Sequence, residues 1–392
     1  MRARACHGPL PGPGRTSHPR RACPPCRRDG TARAGRSRGA PRGAPKGSPK
    51  GSPRGARMQF GLFGGARTGT GHGPGDGPGA GLADSQGYES FIDYVTEADR
   101  LGFRHMFMVE HHATGQGQVS ASMTLLAYLA ARTRRIRLGT AVLVLPWHNP
   151  VLIAEQAATL DLLSGGRFDF GVGKGYRRAE FDAFCIPIEE ASERFDEAMA
   201  VIRKAWTARG RFSHHGRRWH FENMLVEPAP LQRPHPPLWL AAGSAESIRR
   251  AAREGYNLLL DQLASIEQIG ERIALFRAEC RQAGRAFRPE LVGTARALQM
   301  IHAESERAAA YETRRRVLGV IGDLARGPLA RRIEEDTAPL LGLPGEIVAR
   351  LRQLEAVGAT NILLVDPEAS PERLRAFARE VMPAFGAEPG AP

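Results

Sequence analysis

The feature that most constrains this chain is an alternation of short apolar runs with amphipathic stretches, repeated eight times between Met58 and Met382. Runs at 58–63, 104–110, 136–145, 167–172, 237–242, 256–260, 291–301 and 361–365 read as strands. Helical spacing of apolar residues predicts helices at about 88–101 (Phe91, Val95, Ala98), 120–132, 150–163, 189–208, 245–254, 265–283, 344–357 and 371–382. A small hairpin carrying Trp219 and Phe221 is expected at 211–226, and an Arg-rich helical insertion precedes the helix at 344–357. A strand followed each time by a helix must run parallel to its neighbours, because the helix carries the chain back to the starting edge. Eight such units in about 330 residues predict a closed (β/α)8 TIM barrel over residues 58–392. An open doubly wound sheet would carry a glycine fingerprint after its first strand; the Gly-rich stretch Gly64–Gly87 lacks it and reads as a flexible loop.

The net charge of +14 resembles a nucleic-acid signature until it is located. Residues 1–57 hold 15 of the 55 Arg and Lys against one of the 41 acids, Asp29, so the remaining chain carries 40 of each and is neutral. The barrel therefore has no bulk attraction to nucleic acid or anionic membrane. Residues 1–57, rich in Arg, Pro and Gly and poor in aliphatic side chains, cannot bury enough surface to order themselves and are expected to be a disordered basic tail. Met58-Gln59-Phe60 has the form of a natural start on a first strand, which makes the tail either a true arm or a misassigned upstream extension. Cys23-Pro-Pro-Cys26 has redox spacing without strand–helix context, and Cys185 and Cys280 alone in the body imply a reducing, cytoplasmic compartment. The longest apolar run, Leu138–Pro146, is too short to span a bilayer.

A barrel demands that function gather where strands end and helices begin. Four segments obey: Glu110-His111-His112, Pro146–Pro150, Gly171–Tyr176 and Ala242–Ser247. Neighbouring strand residues face opposite ways, so His111 and His112 cannot both look into one pocket. With no His-Glu-x-x-His helix to complete a coordination sphere, a metal site is not expected. Gly171-Val-Gly173-Lys174-Gly175 is neither a Rossmann nor a Walker pattern; it is either a backbone made for close approach to a flat or charged ligand or a tight strand-to-loop transition. Ser244 is an expected N-cap, and with Ser247 and Lys174 it would form a phosphate site.

Glu110-His111-His112, the run Gly139–Pro146 and the run Leu160–Gly171, with its Ser-Gly-Gly-Arg-Phe core, resemble the luciferase-like flavin monooxygenases. The bacterial luciferase α subunit is the best-known member. The resemblance extends from about Met58 to Phe385. It implies a barrel enzyme, commonly a homodimer, that uses reduced FMN from a separate flavin reductase, with O2, to oxidise a small organic substrate through a flavin C4a-hydroperoxide. His111 matches the histidine regarded as the catalytic base, with Glu110 and His112 its neighbours. Lys174 matches an arginine on the flavin phosphate, and Ser244 and Ser247 match hydroxyls there. Gly173, Gly175, Tyr176 and Gly243 belong to the same cofactor-binding set. Ala141 and Val142 match the strand end against the flavin ring, where a non-prolyl cis peptide is common. The Arg-rich segment Tyr311–Leu341 takes the place of a mobile lid. Gly173 replaces luciferase's reactive cysteine, so a more open space beside the flavin edge is expected, and light emission is not. The alternatives are a deazaflavin-dependent reductase on the same barrel and a non-catalytic flavin-binding partner subunit.

Overall fold

Strands that alternate with helices but read as unbroken apolar runs must be buried on both faces. The computed structural model describes residues 57–68, 80–115, 117–324 and 339–386. The expectations for residues 1–56, for 69–79 of the Gly-rich loop and for 325–338 of the Arg-rich segment fall outside these. Eight parallel strands close on themselves: β1 (Gln59–Gly64), β2 (His105–Met108), β3 (Arg137–Thr140), β5 (Phe168–Gly173), β8 (Leu238–Ala241), β9 (Asn257–Leu260), β10 (Val292–Met300) and β12 (Asn361–Val365). The seam is the pairing of β12 with β1, Gln59 opposite Asn361 and Leu62 opposite Leu364. This is the predicted TIM barrel.

Each strand feeds both faces. On β2, Met106 and Met108 join the outer core beneath the helices, whereas Phe107 points inward. On β9 and β12 the inward residues are Leu259 and Leu363. Inside, Phe107 meets Trp239 edge-on, ring centroids 5.0 Å apart. Gly139 leaves room for Phe107, since a Cβ there would lie 2.5 Å from its ring. The helices are α1 (Ala80–Leu101), α2 (Ser122–Arg132), α3 (Pro150–Leu163), α4 (Arg178–Ala183), α5 (Ala191–Thr207), α6 (Ala245–Arg253), α7 (Ile266–Gln282), α8 (Arg307–Leu324), α9 (Pro344–Ala356) and α10 (Pro371–Glu380). The Ser-Gly-Gly-Arg-Phe run is structural: the Arg167 guanidinium donates to the carbonyls of Ala130, Ile136 and Ser164 at 2.8–2.9 Å, tying α2, β3 and α3 together.

Four departures from the sequence reading bear on the site. The predicted strand 136–145 is broken after Thr140 and resumes as β4 (Leu143–Val144) and a 3-10 turn at Leu145–Trp147, while the non-prolyl cis peptide that the family resemblance led us to expect is present between Ala141 and Val142. Strand two ends at Met108, which frees Glu110 and His111 from strand geometry. The predicted helix 189–208 is preceded by α4, too short to show helical periodicity. A short strand, β11 (Leu340–Gly342), pairs with β10 outside the barrel, where Leu298 faces Leu340. The expected hairpin is present as β6 (Phe212–His215) and β7 (His220–Met224).

Candidate active site

The segment after β2 is held at its backbone before any side chain acts. Val109 N–H donates to Gly64 O at 2.9 Å, and His111 N–H donates to Val119 O at 3.1 Å. The next three side chains are thereby fixed in direction.

Glu110 turns inward and is 3% exposed. Its carboxylate accepts from Val144 N–H at 2.7 Å and contacts Nε2 of His148 at 2.7 Å and of His112 at 3.0 Å. Burial alone would raise its pKa, but these hydrogen bonds overcome burial and pull it to about 2. An ionised carboxylate only accepts, so both imidazoles must carry their proton on Nε2. Glu110 thus orients two histidines from a buried position. His112 also stands edge-on to Trp147 and Phe184, at 5.3 and 5.0 Å. His148 is aimed by the turn at Leu145–Trp147, after which Asn149 caps α3 by accepting from Val151 N–H at 3.0 Å.

His111 faces a different carboxylate. Its Nδ1 lies 3.0 Å from Glu180 Oε1, which also accepts from His112 N–H at 3.0 Å. Glu180 sits on α4, 3% exposed, with Arg177 Nη1 at 3.9 Å. The carboxylate places the His111 proton on Nδ1 and leaves Nε2 as a proton acceptor. Burial, aided by the charge of Arg177, outweighs the attraction of Glu180 and holds the His111 pKa below the usual imidazole value, so the ring is neutral at neutral pH. A base oriented by a buried carboxylate is the arrangement general-base chemistry requires. Among the described residues no group of three His, Cys, Asp or Glu could hold a metal ion.

The expected cofactor residues fall into separate contacts. Ala141 packs with Phe107, Trp239, Leu259 and Leu363 inside the barrel, and half-buried Phe63 and Val142 cover them. This makes an apolar floor that ends in open space at exposed Ala241. Gly173 does not open the space expected of it: a Cβ there would lie 2.5 Å from Val142 Cγ2, so Val142 fills the position. Lys174 Nζ donates to Ser192 Oγ at 3.0 Å on α5. Ser244 caps α6, accepting from Ser247 N–H at 3.2 Å, and the two hydroxyls lie 2.9 Å apart. Gly175 takes a positive φ of 76°, and Tyr176 is 56% exposed.

Two residues that sequence reasoning did not single out complete the cluster. Glu180 hides in a helix of six residues. The available signal was chemical: a histidine base needs an orienting carboxylate, and Glu180 follows Lys174 closely on the same barrel face. His148 lay in a segment expected at the mouth but had no role assigned.

The luciferase-like monooxygenase family model matches residues 58–379. The oxygenase component of a flavin-dependent trigonelline monooxygenase from Acinetobacter baylyi is 27% identical over 328 residues, 76% of this chain and 90% of that protein. An FMNH2-dependent dimethylsulfone monooxygenase from Pseudomonas putida is 27% identical over 311 residues, 73% of this chain and 85% of that protein. Against an uncharacterised protein of Sinorhizobium fredii, y4vJ, the match is 32% over 206 residues and spans only 58% of that protein. The crystal structure of monooxygenase RslO1 from Streptomyces bottropensis superposes with a TM-score of 0.73 at 27% identity, covering 84% of this chain and all of that one. With the family model matched along nearly the whole barrel, the chain belongs to the luciferase-like monooxygenase family of flavin-dependent oxidoreductases.

Proposed function

We propose that this chain is the oxygenase component of a two-component system, taking reduced FMN from a separate reductase and using O2 to oxidise a small organic substrate. The observation that carries this reading is His111, whose Nδ1 is engaged by buried Glu180 while Nε2 stays free to take a proton. The trigonelline and dimethylsulfone relatives, named as flavin-dependent oxygenases over most of their length, support it.

The residues present fit FMN. The floor of Phe63, Ala141 and Val142 suits a flat, largely apolar ring. The capped, exposed N-terminus of α6, with two hydroxyls, suits a phosphate, and Lys174 supplies a cation at the same mouth. Bound in reduced form, FMN supplies the two electrons that let one oxygen atom enter the substrate while the other leaves as water. The protein does the rest. Glu110 fixes His112 and His148 in one tautomer, His112 with Trp147 and Phe184 forms an aromatic wall against water, and His111 Nε2 accepts the proton that substrate activation releases.

A homodimer fits the exposed apolar face of Tyr128 on α2 and Leu152, Leu162 and Leu163 on α3. No helix among the described residues is long and apolar enough to cross a membrane, and free Cys185 and Cys280 suit the cytoplasm. Titration of the purified protein with FMN and with a deazaflavin, followed by O2-uptake assays with reduced FMN, tests the proposal. Saturable FMN binding with substrate-dependent O2 consumption is expected. Preference for the deazaflavin with anaerobic hydride transfer would replace it by the reductase reading, and flavin binding without turnover by the partner-subunit reading.

A further inference from the structure

One charged group at the mouth is used by neither the flavin floor nor the histidine cluster. After β1 the chain runs antiparallel to the segment that follows His111. Thr68 N–H donates to Gly117 O at 2.7 Å, Val119 N–H donates to Ala66 O at 3.1 Å, and Arg67 is bridged directly to Gln118. Residues so opposed put their side chains on one face, with Cβ atoms about 5 Å apart. Gln118 Oε1 in turn accepts from Arg177 Nη1 at 3.3 Å. Arg67 and Arg177 are therefore both neighbours of one glutamine, Arg67 across the backbone bridge and Arg177 through its hydrogen bond, and Arg177 stands 3.9 Å from Glu180, the carboxylate that orients His111.

We propose that Arg67 and Arg177 form a carboxylate-binding subsite beside His111, which selects a substrate carrying a single negative charge. The inference rests on the oxygenase reading only in calling the occupant a substrate. The donors are available. Arg177 is 7% exposed, its Nε is spent on Tyr176 OH at 3.3 Å and its Nη1 on Gln118, and Nη2 has no protein partner among the described residues. Arg67 is exposed and likewise faces no carboxylate among the described residues. Although the Arg67 side chain reaches solvent, protein packed around its guanidinium, and after that the charge of Arg177, lowers its pKa from the ordinary value, so the two cations are close enough to repel, and an anion between them would relieve that repulsion.

The charge count fixes the class of ligand. Glu180 offsets Arg177, neutral His111 adds nothing, and the Glu110 carboxylate is engaged by Val144 N–H, His112 and His148, which leaves Arg67 as the cation with no carboxylate of its own among the described residues. A monoanion balances it; a phosphate dianion would leave an excess beside Glu180. The planar guanidinium fork matches the two oxygens of a carboxylate, which a single ammonium cannot do. A substrate anchored there would lie against the His111 ring, since Arg177 and His111 share Glu180.

Benzoate and its neutral counterpart benzamide serve as probes, titrated by calorimetry into the full-length protein and its Arg67→Gln and Arg67→Lys variants, with FMN binding measured in parallel. Benzoate should bind about tenfold or more tightly than benzamide. Arg67→Gln should abolish that preference and leave FMN affinity unchanged, and Arg67→Lys should keep part of it. Equal binding of the two probes, binding of neither, or a preference that survives Arg67→Gln would overturn the subsite. Loss of FMN affinity in Arg67→Gln matching the loss for benzoate would also overturn it, and would hand the pair to the flavin phosphate. If benzoate discrimination persists in a protein that binds no flavin, the oxygenase reading fails while the subsite stands.

Discussion

The barrel carries a buried histidine–carboxylate pair at each end, and the two have opposite fates. At the closed end His105 lies 3.9 Å from Asp169, but Asp169 is already taken by Nε and Nη2 of Arg137 at 2.8 and 3.0 Å. At the mouth His111 holds Glu180 directly at 3.0 Å, with Arg177 kept back at 3.9 Å. His105 stacks on Phe107, 5.4 Å between centroids, beneath the apolar interior, whereas His111 sits on a loop beyond the strand end. Both sets are an imidazole, a carboxylate and an arginine. An arginine that satisfies the carboxylate leaves a structural plug, and a carboxylate left to orient a half-buried imidazole leaves a ring nitrogen placed for the proton transfer proposed for His111.

The largest effects should separate these ends cleanly. His111→Ala should lower kcat/KM about 10²–10⁴-fold, the usual range for losing a general base, with little change in melting temperature or FMN affinity. Asp169→Asn should do the reverse. It strips the counter-charge from half-buried Arg137 and should cost about 3–5 kcal/mol of stability in denaturant titration, with kcat of the folded fraction unchanged. Equal loss of kcat in both variants would erase the distinction.

Proton titration gives a finer separation. Burial first, then the charges of Arg137 and Arg104, push the His105 pKa to about 4 against the pull of Asp169. The unfolded chain therefore binds a proton from about pH 6.5 downward that the folded chain refuses until about pH 4. Unfolding free energy should fall by roughly 3 kcal/mol across that window and be unaffected above it. His105→Phe should flatten this slope. At the mouth the same depression shows in catalysis: the acid limb of kcat/KM should lie below the ordinary imidazole value near 6.5. Arg177→Gln removes a lowering influence and should move the limb up; Glu180→Gln removes a raising one and should move it further down. Limbs that stay fixed in both variants would take the proton-transfer role away from His111.

The contrast also explains what the sequence made legible. The eightfold alternation, the strand ends and Glu110-His111-His112 are local patterns, and burial on both faces of every strand follows from composition alone. The division of labour among the histidines was not readable. It depends on Val144, His148 and Glu180, which lie 34, 38 and 70 residues from Glu110 and meet it or its neighbours only across the barrel mouth. Strand periodicity likewise ran through 136–145 because Ala141 and Val142 are as apolar as the residues around them; the break was legible only through the family resemblance, which pointed to Ala141–Val142 as the strand end. Gly173 misled for a related reason. A missing side chain reads as space, yet the neighbour that fills it, Val142, belongs to another strand end.

That glycine supplies the smallest and sharpest test of interior against mouth. A Cβ on Gly139 or on Gly173 would meet its nearest atom at the same distance, 2.5 Å. The neighbours differ. At Gly139 the obstacle is the fully buried ring of Phe107, wedged between His105 and Trp239 with centroids 5.4 and 5.0 Å away, so it has nowhere to go. At Gly173 it is one methyl of Val142, which is only half-buried and so less confined than the Phe107 ring. Overpacking costs about 1–3 kcal/mol, and Gly139→Ala should fall at the top of that range or above it, with Gly173→Ala near the bottom. Trimming Val142→Ala in the Gly173→Ala background should recover most of the smaller loss, because the two sites share one contact and cannot be additive. Additive losses in that double variant would mean that Val142 does not occupy the position, and that the mouth is as rigid as the closed interior.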